Sequence, residues 1–200
     1  MSPAHVHEPT YSAIKQRLMT GTWSAGVRIE AARLADEIGV SITPVRDALN
    51  RLAGERMVDF IAGEGFRVPQ YSEAELRDLF GLNRLLLLAA VGKAEFPRDG
   101  NQNMGDVADR TSRLFLRLAN YSANGEIVAA VGALNDRLHR TRMLELEVFA
   151  DAADELSELE TMASKRHDRR IFRDLLGRYH ERRRHEAGTF ARLLSSTVSR

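Results

Sequence analysis

The stretch Arg33–Leu49, Arg-Leu-Ala-Asp-Glu-Ile-Gly-Val-Ser-Ile-Thr-Pro-Val-Arg-Asp-Ala-Leu, decides the fold of the first part of this chain. Two short helical patterns meet at a tight turn through Gly39, because a glycine after the last periodic residue ends a helix. The second pattern begins with the cap candidates Ser41 and Thr43, followed by Pro44. This layout predicts a helix-turn-helix, whose second helix can enter the major groove of DNA.

The flanking segments predict the other elements of a winged helix-turn-helix. After a loose tail over residues 1–8, helices are expected at about 10–19, 31–38 and 43–55, with a short extended segment at 28–29. Hydrophobic residues at 57–61 and 66–68 predict two strands, joined by the glycine-rich turn at 62–65. A two-stranded hairpin in this place is a wing, and its tip at Gly65 can approach a phosphate or the minor groove because glycine has no side chain.

The rest of the chain predicts an all-helical bundle. Residues 69–72 are the expected linker, and Ser72 with Glu75 forms a capping box that opens a new helix. A loop is expected at 95–103, and helices are expected at about 73–93, 105–121, 125–149, 150–164 and 169–195. The predicted fold class is therefore mostly α, with a winged helix-turn-helix domain over 1–70 and a helical effector-binding or dimerisation domain over 71–200.

Composition narrows the class of protein. Hydrophobic residues are 44% and charged residues 28%, and the net charge is +1. The chain has no cysteine, no secretory signal and no apolar run near the length of about 20 residues that spans a membrane. A bacterial cytoplasmic protein is expected. From Lys165 to Arg200 there are 11 basic residues against 4 acidic ones, which indicates either a solvated helix face or the lining of an anion-binding pocket.

The first domain resembles the winged helix-turn-helix of GntR-family bacterial transcriptional regulators. The matching residues are Leu34-Ala35, Gly39-Val40-Ser41, Thr43-Pro44-Val45-Arg46-Asp47-Ala48-Leu49, Arg51-Leu52-Ala53 and Gly65-Phe66-Arg67-Val68. The helical bundle after the wing resembles the FCD-type effector domain of the FadR subfamily. The resemblance implies a homodimer on a pseudo-palindromic double-stranded DNA operator, whose affinity a small metabolite, often a carboxylate, shifts.

Five residues are candidates for DNA contact. Arg46 is the strongest, because an arginine near the start of a groove-inserted helix can donate two hydrogen bonds to guanine; the alternative is an ion pair with Asp47 or Glu37. The others are Arg33, Ser41, Thr43 and Gly65, and the alternative for the serine and the threonine is a role as helix caps only. One position departs from the family, since Ile42 stands where FadR-like regulators commonly carry an arginine.

The resemblance also suggests a metal site. Metal-binding FCD domains carry Asp or Asn, then His four residues later, then two further histidines. Here Asn135 and His139 match the first motif, and His185 lies near the position of the next ligand. Such ligands suit zinc, nickel or manganese. The last ligand has no counterpart before the chain stops, although His180 or water is available to complete the set. The alternative is that each histidine is simply packed or exposed.

Candidate effector contacts come from the first and last helices of the bundle. The pocket-facing positions of the first helix correspond to Asn83 and Leu87, with Arg84 one step off, and Arg178 and Arg182 share a helix face. These arginines either bind a carboxylate or are simply exposed. Three functions are weighed: a ligand-sensing regulator, a DNA-binding dimer whose bundle has no ligand, and a metal enzyme. The enzyme is disfavoured because no nucleophile–base pair, phosphate loop or HExxH motif is present.

Overall fold

A computed structural model of the chain describes residues 4–91, 105–164 and 169–196. The chain divides into two compact units, one formed by Met1–Tyr71 with Leu194–Arg200 and the other by Ser72–Leu193. The loop predicted at 95–103 lies outside the described residues. The predicted fold class is confirmed, since a winged helix-turn-helix is followed by a helical region.

Three helices form the frame of the first unit. They are α1 (Ala4–Met19), α2 (Ala31–Ile38) and α3 (Ile42–Gly54). The helix α2 has the predicted limits because Gly39 follows it with a φ of 77°, a left-handed conformation that glycine adopts without steric cost. The helices pack around one apolar core, which includes Ile14, Leu18, Leu34, Val45, Leu49, Leu52 and Val58.

The helix α1 begins earlier than its sequence indicates, so the expectation of a loose tail over residues 1–8 is wrong from Ala4 onward. Pro9 lies inside this helix, where a proline removes one backbone donor. An ion pair holds the added turn, because Arg51 Nη1 of α3 donates to Glu8 Oε2 at 2.9 Å. These two residues are 43 positions apart, which places their contact beyond the reach of local patterns.

The wing is a sheet of three strands, where the sequence predicts a hairpin of two. The strands are β1 (Arg28–Ile29), β2 (Asp59–Ile61) and β3 (Gly65–Arg67), in the order β1-β3-β2 with both pairs antiparallel. The predicted strand at 57–61 is shorter than expected, because Met57 and Val58 lie in the core before pairing begins at Asp59. The extended segment at 28–29 becomes the third strand by pairing with β3.

The second unit consists of helices. They are α4 (Glu73–Val91), α5 (Val107–Asn120), α6 (Gly125–Met143), α7 (Glu145–Val148), α8 (Ala152–Ser164), α9 (Arg169–His185) and α10 (Ala187–Ser196), the last of which continues into the first unit. The capping box is present, since Ser72 N donates to Glu75 Oε2 at 2.8 Å and Glu75 N donates to Ser72 Oγ at 3.2 Å. Two long predicted helices are each divided, at Leu144 and at Glu186.

An apolar core in the second unit surrounds buried polar groups. The apolar part includes Leu87, Val91, Leu114, Phe115, Leu118, Val131, Leu156, Leu159, Phe172 and Leu176. Ten polar or charged residues are buried in the described parts of the chain, nine of them in this unit: Asn83, Thr111, Asn135, His139, Thr141, Arg142, Glu145, His180 and Arg183. None of the described helices is long and apolar enough to cross a membrane.

Candidate functional site

The outward face of α3 presents a row of exposed side chains. Val45 and Leu49 are completely buried and fix the inward face of this helix. Ile42, Arg46 and Asn50, spaced four residues apart, therefore lie on the opposite side and are all exposed. The row combines an apolar group, a guanidinium and an amide, which are side-chain types that contact the thymine methyl, guanine and adenine.

The beginning of α3 keeps polar groups available for a phosphate. Ser41 occupies the N-cap position with extended backbone, but its side chain makes no capping hydrogen bond. Thr43 lies in the first turn and is exposed. The first backbone N–H groups of a helix have no intrahelical acceptor and carry partial positive charge, so they and both hydroxyls suit an anionic oxygen.

Arg46 keeps its guanidinium unpaired among the residues that the structure describes. The two carboxylates proposed as its alternative partners are engaged elsewhere. Glu37 accepts hydrogen bonds from Arg17 and Arg33 at 2.8 and 3.1 Å. The carboxylate of Asp47 lies 3.7 Å from His7 Nδ1. A free guanidinium retains all its donors for a nucleic-acid partner.

The wing borders the same side of α3. A groove is lined by Arg28, Ile29, Glu30, Ala31, Ala32, Ile42, Arg46, Asn50, Phe60, Glu64, Gly65 and Phe66. Gly65 has a φ of 88° at the predicted tip, and Phe60 of β2 is 61% exposed beside Phe66. The structure thus places Arg46 and Gly65, both predicted DNA contacts, on one groove. Sequence reasoning missed Asn50, although its four-residue spacing from Arg46 was a usable signal.

Arg33 of α2 lies outside this groove. Its side chain is 79% exposed, and its Nε donates to Glu37 Oε1 across one helical turn at 3.1 Å. The carboxylate shared by Arg17 and Arg33 has its pKa lowered, first by the hydrogen bond from Arg17. Arg33 can turn to a phosphate because an exposed ion pair of this kind contributes little stability.

The residues of the predicted metal set do not fit a divalent ion. Asn135 uses both ends of its amide, since Nδ2 donates to the Ser112 carbonyl at 2.9 Å and Oδ1 accepts from Arg142 Nη1 at 2.9 Å. The oxygen expected to bind the metal thus already binds a cation. A metal in this place would stand beside a fully buried guanidinium of the same charge sign.

The two predicted histidine ligands differ in environment. His139 is 7% exposed, and burial lowers its pKa, so its ring is neutral at pH 7. His185 is exposed in a depression with Phe149, Arg182 and Thr189, whose lining includes neither Asn135 nor His139. Within the described residues, no three His, Cys, Asp or Glu side chains are grouped to hold a metal ion. This arrangement does not support the assignment of Asn135, His139 and His185 to one metal.

Asn83 is buried as a pocket-facing residue would be, but it is bound to a histidine. Its Oδ1 lies 2.9 Å from His180 Nε2, and His180 Nδ1 lies 2.7 Å from the Leu176 carbonyl. Burial lowers the pKa of His180 to about 3, so the ring is neutral and has one N–H. If that N–H donates to Leu176, the Asn83 amide must turn its Nδ2, which otherwise has no partner, toward Nε2.

The predicted effector arginines do not converge on one point. Arg84 is 3.7 Å from Glu181 and partly exposed. Arg178 is exposed. Arg182 donates to Asp151 from both terminal nitrogens and lies 4.3 Å from the Phe149 ring centroid. Of the two alternatives for these arginines, the structure favours exposure, since all three lie on or near the surface of the unit.

Sequence reasoning missed two arginines, Arg142 and Arg183, whose guanidinium groups are buried inside the helical bundle. Arg183 donates to Glu145 at 2.7 Å and to Glu155 at 2.5 Å, so its charge is balanced. Arg142 is 1% exposed, and its Nη1 donates to Ser112 Oγ and Asn135 Oδ1, which are both neutral. Nothing in the sequence around Arg142 distinguishes it from the exposed arginines nearby, because its burial depends on how α5 and α6 pack.

Comparisons with known proteins agree with the geometry of the first unit. Residues 7–68 match the family model for bacterial regulatory proteins of the gntR family. The chain is 33% identical over 81 residues to the HTH-type transcriptional regulator McbR of Escherichia coli, covering 40% of this chain and 37% of McbR. It is 28% identical over 137 residues to the Nta operon transcriptional regulator of Aminobacter aminovorans, covering 60% and 65%. The alignments therefore span less than two thirds of these curated relatives.

Solved structures extend the likeness in fold to most of the chain. Escherichia coli McbR/YncC has a TM-score of 0.64 and 18% identity, covering 92% of this chain and 97% of that one. A putative GntR transcriptional regulator from Rhodococcus sp. RHA1 has a TM-score of 0.73 and 14% identity, covering 90% and 96%. At these identities the likeness shows the fold alone. The likeness to the gntR family is therefore shown for residues 7–68, which hold the helix-turn-helix and the wing.

Proposed function

We propose that this chain is a sequence-specific, DNA-binding transcriptional regulator that acts as a homodimer and senses a small anionic metabolite through its helical unit. The observation that carries the DNA-binding part is the exposed row Ile42, Arg46 and Asn50 beside the wing, with the Arg46 guanidinium unpaired among the described residues. Relatives of the first unit are named as transcriptional regulators.

In this proposal, α3 enters the major groove and Arg46 donates to the O6 and N7 atoms of a guanine. Ile42 contacts a thymine methyl, which makes the departure from arginine at this position a change of base preference. Ser41, Thr43 and Arg33 bind phosphates, which fix the position of the domain without reading sequence. Gly65 lets the wing backbone come close to the DNA.

The test begins with selection of a preferred operator from a random double-stranded DNA library by the wild-type protein. Arg46→Ala is expected to weaken binding to the selected operator by about 1–3 kcal/mol, or roughly 5- to 150-fold, and to relax the choice of one base pair. Arg33→Ala is expected to weaken selected and unrelated sequences alike. Arg178→Ala, an exposed arginine of the second unit, is the control and should bind as wild type. Wild-type affinity and base preference in Arg46→Ala would refute this assignment.

A homodimer is supported by an apolar stripe on α4. Leu82 and Leu85 are 46% and 67% exposed, and Ala89, on the same helix face, is also exposed. Large exposed leucines on one side of a helix are typical of a surface that meets another chain. A second copy of this chain is the partner proposed, because two related domains match the two half-sites of a pseudo-palindromic operator.

Sensing of a metabolite is supported by the polar interior of the second unit. Three of its buried side-chain atoms that lack a hydrogen-bond partner among the described residues are Thr111 Oγ1, His139 Nδ1 and Arg142 Nε. Burial of a polar atom without a partner costs about 1–3 kcal/mol, so such atoms are retained where they serve a ligand or a function. A ligand that orders this interior can shift the affinity for DNA if it binds two states of the dimer unequally.

A further inference from the structure

We infer that Arg142 is the fixed cation that receives the anionic metabolite, and that the helical unit therefore binds its effector without a metal ion. This inference rests on the proposal that the unit senses an anion. It starts from the disagreement described above, because the amide of Asn135 is turned toward a guanidinium where the sequence resemblance suggests a metal.

No carboxylate of the described residues is hydrogen-bonded to Arg142, although burial lowers its pKa while the charge of Glu145 and the hydroxyl of Tyr179 oppose that shift. Its Nη1 donates to Ser112 Oγ at 3.1 Å and to Asn135 Oδ1 at 2.9 Å, and both acceptors are neutral. The neighbouring Arg183, which is equally buried, has two carboxylate partners. Burying a charge is unfavourable unless an opposite charge and hydrogen bonds accompany it. Glu145 is hydrogen-bonded to Arg183, so Arg142 has no carboxylate hydrogen bond of its own, and an anionic ligand would supply one.

Donors near Arg142 suit a carboxylate or phosphate oxygen. The Nε of Arg142 is buried without a partner, and so are Thr111 Oγ1 and His139 Nδ1. Thr111 adjoins Ser112 on α5, and His139 lies on α6 between Asn135 and Arg142, on the same helix face. An arginine that keeps its Nε free can still bind an oxyanion through that edge.

The aromatic groups around Arg142 define the rest of its surroundings. Its guanidinium carbon lies 5.1 Å from the centroid of Phe115, and Phe115 stacks on His180 with centroids 5.4 Å apart. Burial lowers the pKa values of both His139 and His180, so neither adds positive charge at neutral pH. The cation of this interior is therefore arginine, whose protonation is insensitive to pH over the physiological range.

The experiment measures the thermal midpoint of the full-length protein with excess EDTA, with and without acetate, succinate, citrate or inorganic phosphate as probes. Comparison of carboxylates with phosphate identifies the class of anion. The expected result is a rise of about 5–10 °C when a bound probe is in about hundred-fold excess over its Kd. Arg142→Met should abolish the rise, and Arg142→Lys should retain part of it. Arg77→Met removes an exposed arginine of α4 that pairs with Glu73; it is the control and should respond as wild type.

A second variant keeps the conclusion testable if Arg142→Met fails to fold. Asn135→Asp is isosteric and places a carboxylate against Arg142, so it should raise the midpoint without a probe and reduce the rise with one. An equal rise in wild type, Arg142→Met and Asn135→Asp would overturn the inference. So would a rise that requires added zinc, nickel or manganese and is lost with EDTA, or the absence of any rise in wild type.

DNA binding separates failure of this inference from failure of the proposed function. Operator affinity of each variant is measured without a probe in parallel. Loss of selective binding by wild type would refute the proposed regulator, whatever the anions do. Selective binding with no response to any anion leaves the DNA-binding role intact and assigns the helical unit to dimerisation alone.

Discussion

Replacement of Glu145 by glutamine should destabilise the second unit by about 3 kcal/mol. Glu145 and Arg183 have fully buried side chains, and Arg183 Nη2 donates to Glu145 Oε2 at 2.7 Å. Tyr179 donates its hydroxyl to the other carboxylate oxygen at 3.0 Å. The guanidinium stays charged after the substitution, because Glu155 remains bonded to Arg183 and arginine is protonated throughout the physiological pH range.

The magnitude follows from what remains around Arg183. Breaking a buried ion pair by removing one partner costs about 3–5 kcal/mol, because the other charge is left uncompensated. The lower end applies here, since Glu155 still accepts from Arg183 Nη1 at 2.5 Å and its side chain is 17% exposed. A double variant, Glu145→Leu with Arg183→Met, removes both charges and should recover much of the lost stability.

Urea unfolding with two probes measures this effect. Trp23 is the only tryptophan, and it packs on the core of the first unit, so its fluorescence follows that unit. Far-ultraviolet circular dichroism also follows the helices of the second unit, whose transition should move to lower urea while the Trp23 transition stays in place. Glu181→Gln breaks an exposed pair with Arg184 and should cost less than about 1 kcal/mol. A loss below about 1 kcal/mol for Glu145→Gln would refute the reasoning.

Two further predictions concern the pH dependence of stability and the proposed dimer. Burial lowers the pKa of His180 from about 6.5 to about 3. Between these values the unfolded chain binds a proton that the folded chain excludes, so stability falls as pH decreases, by up to about 1.4 kcal/mol per unit from this group. Unfolding titrations should show a shallower decline in His180→Gln than in the exposed control His185→Gln, and equal slopes would contradict the assignment. Leu85→Glu should give a monomer in light scattering, whereas Leu146→Glu, also exposed, should match wild type; a persistent Leu85→Glu dimer would count against the α4 interface.

Much of the first unit could be predicted because its signals are local. Gly39 ends α2 through its own backbone conformation, and Ser72 with Glu75 begins α4 through contacts three residues apart. The alternation of buried and exposed residues along α3 follows from helical periodicity, which placed Arg46 on the outward face. That Arg46 is unpaired could not be predicted, because its possible partners Glu37 and Asp47 are occupied by residues distant in sequence.

The candidate site in the second unit could be predicted only in part. The spacing of Asn135 and His139 placed both on one face of α6, and both are buried there. The spacing could not show that the Asn135 side chain binds Arg142, because that face of α6 carries both potential metal ligands and cationic side chains. The position of His185 fits the helical spacing of its buried neighbours on α9, yet its side chain is exposed.

The sequence by itself determined the helix-turn-helix, the approximate limits of its helices and the face of α3 that carries Arg46, because each depends on turns, caps and periodicity within a few residues. Tertiary structure alone decided the third strand, the added turn of α1 and which arginines are buried. The third strand pairs Arg28 with Arg67, the added turn of α1 pairs Glu8 with Arg51, and the buried Arg183 binds Glu145. These partners are 38 to 43 residues apart in the chain. A charged side chain is buried stably only where packing places oppositely charged or hydrogen-bonding partners around it. Patterns within a few residues of sequence do not contain that information.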